Sequence, residues 1–338
     1  MKTNIAVNGF GRIGRGFLRS ALNNNDFCNN FNIIAINDIT DIQTLAHLLK
    51  YDSIFGKYPK NIVIEKNNLI IDSHKIKILA ERDPEKLPWK DLNVQIVLES
   101  TGFFTKNEQA SKHIIAGAKR VIISAPSNDP DITLVLGVNE KEYDSTKHFV
   151  ISMASCTTNC LAPVIKIVNN EFGIEKGFLT TTHAYTSDQK LHDTPHKDLR
   201  RARASNVSII PTTTGAAKSI GEVISDVNGK LDGLALRVPV PVGSINDITL
   251  LLNKDVKVEQ INNVLKRSAN NELKGILEYT EEPIVSSDVI GNSHSSIVDG
   301  LSTNVIGNQG KLVKIMAWYD NESGFSNRLV DIIQYISK

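Results

Sequence analysis

Cysteine is scarce in this sequence, with three in 338 residues: Cys28, Cys156 and Cys160. So few, and an odd number, exclude a disulfide framework, fit a reducing compartment and leave each thiol to be read as core or reactive. Long apolar runs are missing too, none approaching the roughly 18 residues that span a bilayer. The opening Met1-Lys2-Thr3 leads into a short strand pattern and not into an apolar leader, so a cytoplasmic protein is expected. Charge of one sign is also lacking. Thirty-eight basic side chains face 37 acidic ones, a formal net charge of +1, so no global field recruits nucleic acid or an anionic membrane, and small-molecule work is favoured. What remains is 41% hydrophobic and 22% charged residues, an ordinary globular balance in a length that suggests two domains.

The first half alternates short β-rich runs with helical patterns, at residues 4–8, 33–37, 75–80, 94–99, 121–124 and 134–137. Val94-Gln95-Ile96-Val97-Leu98 reads as buried on both faces, which suits a parallel sheet covered by helices, a doubly wound α/β domain. Ile62-Val63-Ile64 and Leu69-Ile70-Ile71, with Asn67-Asn68 between them, read as a hairpin on the sheet edge. Residues 23–32 hold six asparagines and read as a loop between the first helix and the second strand. From about Ser155 the strand-like runs lengthen (177–185, 234–238, 248–252, 312–318) with two helical stretches among them, which predicts an α+β domain with a mostly antiparallel sheet. Leu329, Ile332, Ile333 and Ile336 form one apolar stripe on a final helix.

Gly9-Phe10-Gly11-Arg12-Ile13-Gly14 follows the first strand and opens a helix. Its glycines permit a tight turn, close backbone approach to a pyrophosphate and close helix-to-strand packing, and the helix N-terminus faces the anion. Asp38, 24 residues beyond Gly14 at the end of the second strand, stands where a carboxylate accepts bonds from ribose hydroxyls. The alternative is a purely structural glycine turn.

Ala154-Ser155-Cys156-Thr157-Thr158-Asn159-Cys160 precedes an apolar helical pattern. A cysteine at a helix N-terminus is expected to have a lowered pKa and a raised thiolate fraction. Pro163, seven residues on, predicts a kink or a later helix start. Cys160 falls on the buried face, and with no second ligand pair at suitable spacing no metal site is expected.

Ser155-Cys156-Thr157-Thr158-Asn159-Cys160, Thr182-His183-Ala184-Tyr185-Thr186, the run Pro195-His196-Lys197-Asp198-Leu199-Arg200-Arg201-Ala202-Arg203 and Trp318-Tyr319-Asp320-Asn321-Glu322, together with Asn8 to Arg15, resemble the phosphorylating glyceraldehyde-3-phosphate dehydrogenases from end to end. The resemblance implies a homotetramer and a Rossmann-type NAD-binding domain (residues 1–154) completed by the C-terminal helix (321–338), with a catalytic domain at 155–320. It implies oxidative phosphorylation of an aldehyde to an acyl phosphate, with NAD as cofactor and inorganic phosphate as co-substrate, Cys156 as nucleophile and His183 as base.

By the same resemblance Thr186, Asp188 and Arg237 line a substrate phosphate site, Ser155, Thr157, Thr214 and Gly215 line a second site for the attacking phosphate, and Arg201 is shared with one of them. Arg237 stands amid apolar strand residues, where an unpaired cation is costly and an anion is needed. Cofactor positions are Gly9, Gly11, Arg12, Ile13 and Gly14 at the pyrophosphate, Asp38 at the adenosine ribose, Arg82 near adenine, Thr101 and Ser124 along the nicotinamide half, and Asn321 at the carboxamide. Met153, Ser323 and Phe325 replace the asparagine, tryptophan and tyrosine usual in the family, and Thr194 replaces a leucine that helps exclude NADP, so preference for NAD is expected and not absolute exclusion. The rival within the family is an erythrose-4-phosphate dehydrogenase, which releases an acid by hydrolysis. The Thr, Gly and Arg equipment for a second phosphate favours phosphorolysis.

Overall fold

The structure is a computed structural model and describes residues 2–338. The chain divides into two compact units, one of Met1–Leu134, Lys141–Ala154 and Ser326–Lys338, the other of Val135–Glu140 and Ser155–Phe325. The first is a doubly wound Rossmann-type unit. Its sheet runs, edge to edge, through Ile132–Thr133, Val150–Ser152, Arg120–Ile123, Ile96–Glu99, Thr3–Asn8, Phe31–Asn37, His74–Leu79, Asn68–Ile71 and Ile62–Glu65. Pairing is parallel as far as His74–Leu79, and the last two strands add an antiparallel hairpin. Ile5, Ala6 and Val7 are fully buried because helices cover both faces, which is why these strands read as unbroken apolar runs. From Thr3–Asn8 the chain goes to one side, then returns to Ile96–Glu99 on the other, and this reversal of strand order marks where ligands of such sheets bind.

The first helix, Arg12–Asn23, buries Gly14, Phe17, Leu18, Ala21 and Leu22 along one face. The asparagine-rich stretch expected to be a loop contains a second helix, Asn25–Asn30. Asn24 caps it by accepting from the Phe27 N–H at 3.0 Å, and buried Phe27 stacks on Phe31 with ring centroids 4.8 Å apart. Capping chemistry and one buried aromatic outweigh the composition. A second correction concerns residues 134–137: the strand there is Ile132–Thr133, and the apolar residues after it turn, with Val135 N–H donating to Asn139 Oδ1 at 2.9 Å and Gly137 at φ +81°. Leu134 N–H still donates to the Ser152 carbonyl oxygen at 2.8 Å, and from Val135 on the apolarity reflects burial and not pairing.

In the second unit a seven-stranded sheet runs Ile210–Thr213, Leu231–Val238, Ile174–Ala184, Ser244–Val256, Gly310–Tyr319, Ser296–Val305, Leu277–Thr280. It is mostly antiparallel, with two parallel pairs, Ile174–Ala184 beside Leu231–Val238 and Leu277–Thr280 beside Ser296–Val305. Helices Cys156–Phe172, Ala216–Val223 and Val258–Asn270 supply Ile165, Val168, Ile220, Ile261 and Leu265 to its core. The first of these helices begins at Cys156 and runs through Pro163, so of the expected kink or later start the later start does not occur. Ser155 caps it by accepting from the Thr158 N–H, and Pro163 itself lies in the core. Burial around the proline offsets the hydrogen bond that it cannot make.

Candidate active site

Register places the reactive groups. On neighbouring parallel strands His183 pairs with Arg237, and at the first turn of its helix Cys156 puts Sγ 3.4 Å from His183 Nε2. His183 Nδ1 lies 2.7 Å from the Ala184 carbonyl oxygen and 2.7 Å from Arg237 Nη1, which also donates to that carbonyl at 3.0 Å. Arg237 Nε is buried without a hydrogen-bond partner, so the cation that looked out of place in an apolar strand sits against the imidazole and still has donor capacity for an anion.

The electrostatics differ from the expectation of a lowered thiol pKa. Burial pushes the Cys156 thiol up, and the Arg237 charge pulls against it. Loss of water around a thiolate outweighs what one helix turn supplies. Burial, with the Arg237 charge acting in the same direction, pushes His183 down to about 3. Cys156 and His183 therefore rest uncharged, and the thiolate is favoured only with its proton held across the 3.4 Å contact. Cys160, whose Sγ faces Ser296 Oγ at 3.4 Å, is fully buried, and its thiol is pushed up to about 12, which leaves it inert.

Around this pair the two expected anion sets are joined by Arg201. Its guanidinium binds Asp188, whose other oxygen accepts from Thr186 Oγ1, and its Nε donates to Thr212 Oγ1 at 2.9 Å. Thr212 leads through the strand Ile210–Thr213 to Thr214 and Gly215, where the helix Ala216–Val223 starts without a side-chain cap and space is open around Gly215. Ser155 stands at the N-cap of the cysteine helix, whereas Thr157 is buried with its hydroxyl 3.0 Å from Tyr319 Oη. Arg203 pairs with Asp193 on the surface and Arg200 is exposed.

Tyr319 is a site residue that sequence reasoning does not single out. Its hydroxyl also lies 2.8 Å from Thr181 Oγ1, and its ring meets His183 edge-on at 5.9 Å, tying the cysteine helix to the histidine strand. The only signal was its place two residues before Asn321 in the Trp318 to Glu322 motif. Asn321 Oδ1 accepts from Gly243 N–H and Ser244 Oγ, each at 3.1 Å.

The other expected cofactor residues lie in the first unit, at the carboxyl ends of its parallel strands. A Cβ on Gly9, whose φ is +90°, would meet Thr101 N at 2.6 Å, and one on Gly14 would meet the Gly9 carbonyl oxygen at 2.3 Å, while space is open around Gly11. Close packing at two glycines and free approach at the third, at a helix start that lacks a side-chain cap, fit a dinucleotide pyrophosphate. Arg12 pairs with Asp52 at 3.1 Å, and Ile13 follows it in the first helical turn. Asp38 Oδ2 accepts from the Phe10 N–H at 2.7 Å and Oδ1 from Thr40 N–H at 2.9 Å, so this carboxylate also holds the glycine turn. Arg82 is exposed in the turn after His74–Leu79. Ser124 donates to the Glu99 carbonyl at 3.1 Å and Thr101 to the Glu99 carboxylate.

Comparison with known proteins places both units. Residues 3–107 match the profile described as glyceraldehyde 3-phosphate dehydrogenase, NAD binding domain, and residues 155–321 match its C-terminal domain. The chain is 55% identical over 337 residues to a glyceraldehyde-3-phosphate dehydrogenase of Priestia megaterium, with 100% of this chain and 99% of the relative covered. It is 54% identical to glyceraldehyde-3-phosphate dehydrogenase 1 of Bacillus subtilis and 54% identical to the Geobacillus stearothermophilus enzyme, at the same coverage.

Proposed function

The chain belongs to the glyceraldehyde-3-phosphate dehydrogenase family, and we propose that it oxidises D-glyceraldehyde 3-phosphate with NAD and inorganic phosphate to 1,3-bisphosphoglycerate. The observation that carries the mechanism is the Cys156, His183 and Arg237 constellation, with Sγ to Nε2 at 3.4 Å and Nδ1 to Nη1 at 2.7 Å.

His183 Nε2 takes the thiol proton as Cys156 Sγ adds to the aldehyde carbon, and returns it to the carbonyl oxygen to complete a thiohemiacetal, which leaves the imidazole neutral again. Bound NAD supplies the hydride acceptor. As hydride leaves the carbon, His183 takes the hydroxyl proton and the carbon becomes a thioester of Cys156. A phosphate oxygen attacks that carbon, the carbon–sulfur bond breaks, and acyl phosphate and the thiolate are released. Arg237 with Thr186 holds the substrate phosphate, Asp188 lines that site by fixing Arg201 and Thr186 and faces the substrate hydroxyls through water, and Ser155, Thr157, Thr214 and Gly215 receive the attacking phosphate. Arg201, bonded to Asp188 and Thr212, belongs to both groups.

The chain works as a cytoplasmic homotetramer. Three unpaired cysteines support the reducing compartment. Phe178, Leu234, Leu301 and Leu312 leave the second sheet with exposed apolar side chains, which supports burial against further copies. No described helix is long and apolar enough to cross a membrane. The deciding assay supplies purified protein with NAD and either glyceraldehyde 3-phosphate or erythrose 4-phosphate, with and without inorganic phosphate, alongside sedimentation of the protein. Phosphate-dependent NADH formation with the three-carbon aldehyde is expected. Phosphate-independent turnover of the four-carbon aldehyde would assign the hydrolytic reaction instead.

A further inference from the structure

Beneath the glycine turn lies a buried polar network that the reaction does not use. Asn8, Asn37, Glu99 and His113 are all less than 5% exposed. Asn8 and Glu99 are register partners at the carboxyl ends of the two strands between which strand order reverses, the floor of the ligand crevice in a sheet of this kind.

The proton directions in this network are forced from both ends. At one end the Glu81 backbone N–H can only donate, and it does so to Asn37 Oδ1 at 2.8 Å. Asn37 Nδ2 therefore donates to Asn8 Oδ1 at 2.7 Å, and Asn8 Nδ2 donates to Glu99 Oε2 at 2.6 Å. At the other end the Trp89 indole N–H can only donate, and it meets His113 Nδ1 at 3.0 Å. His113 is thus neutral with its proton on Nε2, directed at Glu99 Oε2 3.1 Å away. The second carboxylate oxygen, Oε1, accepts from Thr101 N–H at 2.8 Å and from Thr101 Oγ1, which itself accepts from Phe103 N–H. Every partner donates to Glu99. With donors aimed at both of its oxygens, Glu99 has the bonding of a carboxylate anion at about 1% exposure, and its histidine neighbour brings no positive charge.

From this network we infer that Glu99 is a positioning residue that selects the redox state of the dinucleotide. Its carboxylate anchors Thr101 and its carbonyl anchors Ser124, with Ser124 N–H donating at 2.9 Å. This inference rests on the proposed reading of Thr101 and Ser124 as the nicotinamide side of the crevice. There a fixed buried anion attracts the oxidised ring, which is cationic, and has no charge to attract on the reduced ring. At an effective dielectric constant of about 20, two unit charges about 10 Å apart interact strongly enough to change an equilibrium constant roughly tenfold.

The test is equilibrium binding of NAD and of NADH to the full-length protein, measured by calorimetry, for wild type, Glu99→Gln and Glu99→Asp. Glu99→Gln should weaken NAD about tenfold and change NADH about twofold or less. Glu99→Asp keeps the charge but shortens the reach to Thr101, so it should weaken both cofactors and leave their ratio near the wild-type value. Equal losses for both cofactors in Glu99→Gln would reduce Glu99 to a structural part and overturn the inference. If Glu99→Gln does not fold, the aspartate variant decides, since a collapsed ratio with the charge retained refutes the electrostatic role. Failure of wild type to bind either dinucleotide would instead refute the cofactor reading on which the inference stands.

Discussion

Replacing Arg237 with leucine tests the active-site reading most directly, because this side chain has two jobs that the structure separates. Towards substrate, its unpartnered Nε and the rest of the guanidinium offer a phosphate charge-assisted hydrogen bonds, each worth about 1.5–3 kcal/mol. Losing two removes about 3 kcal/mol or more, roughly a hundredfold or more in kcat/KM. That loss touches glyceraldehyde 3-phosphate and spares glyceraldehyde, which has no phosphate. Towards the nucleophile, the positive charge pulls the Cys156 thiol down against its burial and pushes His183 down. Removing it raises both, so the alkylation of Cys156 by a neutral reagent should move to higher pH, and at neutral pH the thiolate falls about tenfold for every pH unit by which its titration moves up. Both aldehydes share that second loss. The assay is kcat/KM for the two aldehydes alongside the pH profile of alkylation, with Arg237→Lys as control. Lysine should retain most of the alkylation profile and lose the bidentate geometry, falling between wild type and leucine on the phosphorylated substrate. If leucine lowers kcat/KM equally for the two aldehydes, Arg237 does not hold the substrate phosphate.

Cys156→Ser should abolish dehydrogenase activity with fold intact by circular dichroism, while Cys160→Ser, altering a buried thiol away from the reaction, should keep most of its turnover; comparable losses would mean that the nucleophile is misassigned. His183→Asn should slow acylation roughly 10²-fold to 10⁴-fold and slow alkylation of Cys156 at neutral pH, whereas an unchanged alkylation rate would confine the histidine to the hydride step. Asp38→Gly should raise NADP use by removing like-charge repulsion and weaken NAD binding by about 1–3 kcal/mol. The Phe10 N–H bond to Asp38 adds a shared cost, because loosening the glycine turn weakens both cofactors. Wild-type kcat/KM higher for NADP than for NAD would overturn the assignment of Asp38 and point to Thr194.

Local chemistry was legible in the sequence wherever a residue type answers to one physical demand. Gly9 and Gly14 announce close backbone approach because any side chain there would collide with Thr101 or with the Gly9 carbonyl. The doubly wound sheet showed in its apolar runs because burial on both faces removes alternation. The apolar helical pattern after Cys160 placed Cys156 at or near a helix start, and the structure adds the Ser155 cap that fixes that start. What depended on distant partners did not show. The short helix at Asn25–Asn30 depends on Phe27 finding Phe31, and Val135 and Leu136 are buried beyond the point where strand pairing ends, so composition misread both. The Cys156 pKa turned on desolvation, which is a property of the assembled core and not of one helix turn. His183 and Arg237, 54 residues apart, meet only through strand register, and the proton directions that aim Asn8 and His113 at Glu99 emerge only when a backbone N–H and an indole N–H close the network from opposite ends. A sequence specifies which groups are present and their local preferences; contact between distant segments, and the water that contact removes, exists only once the chain has folded.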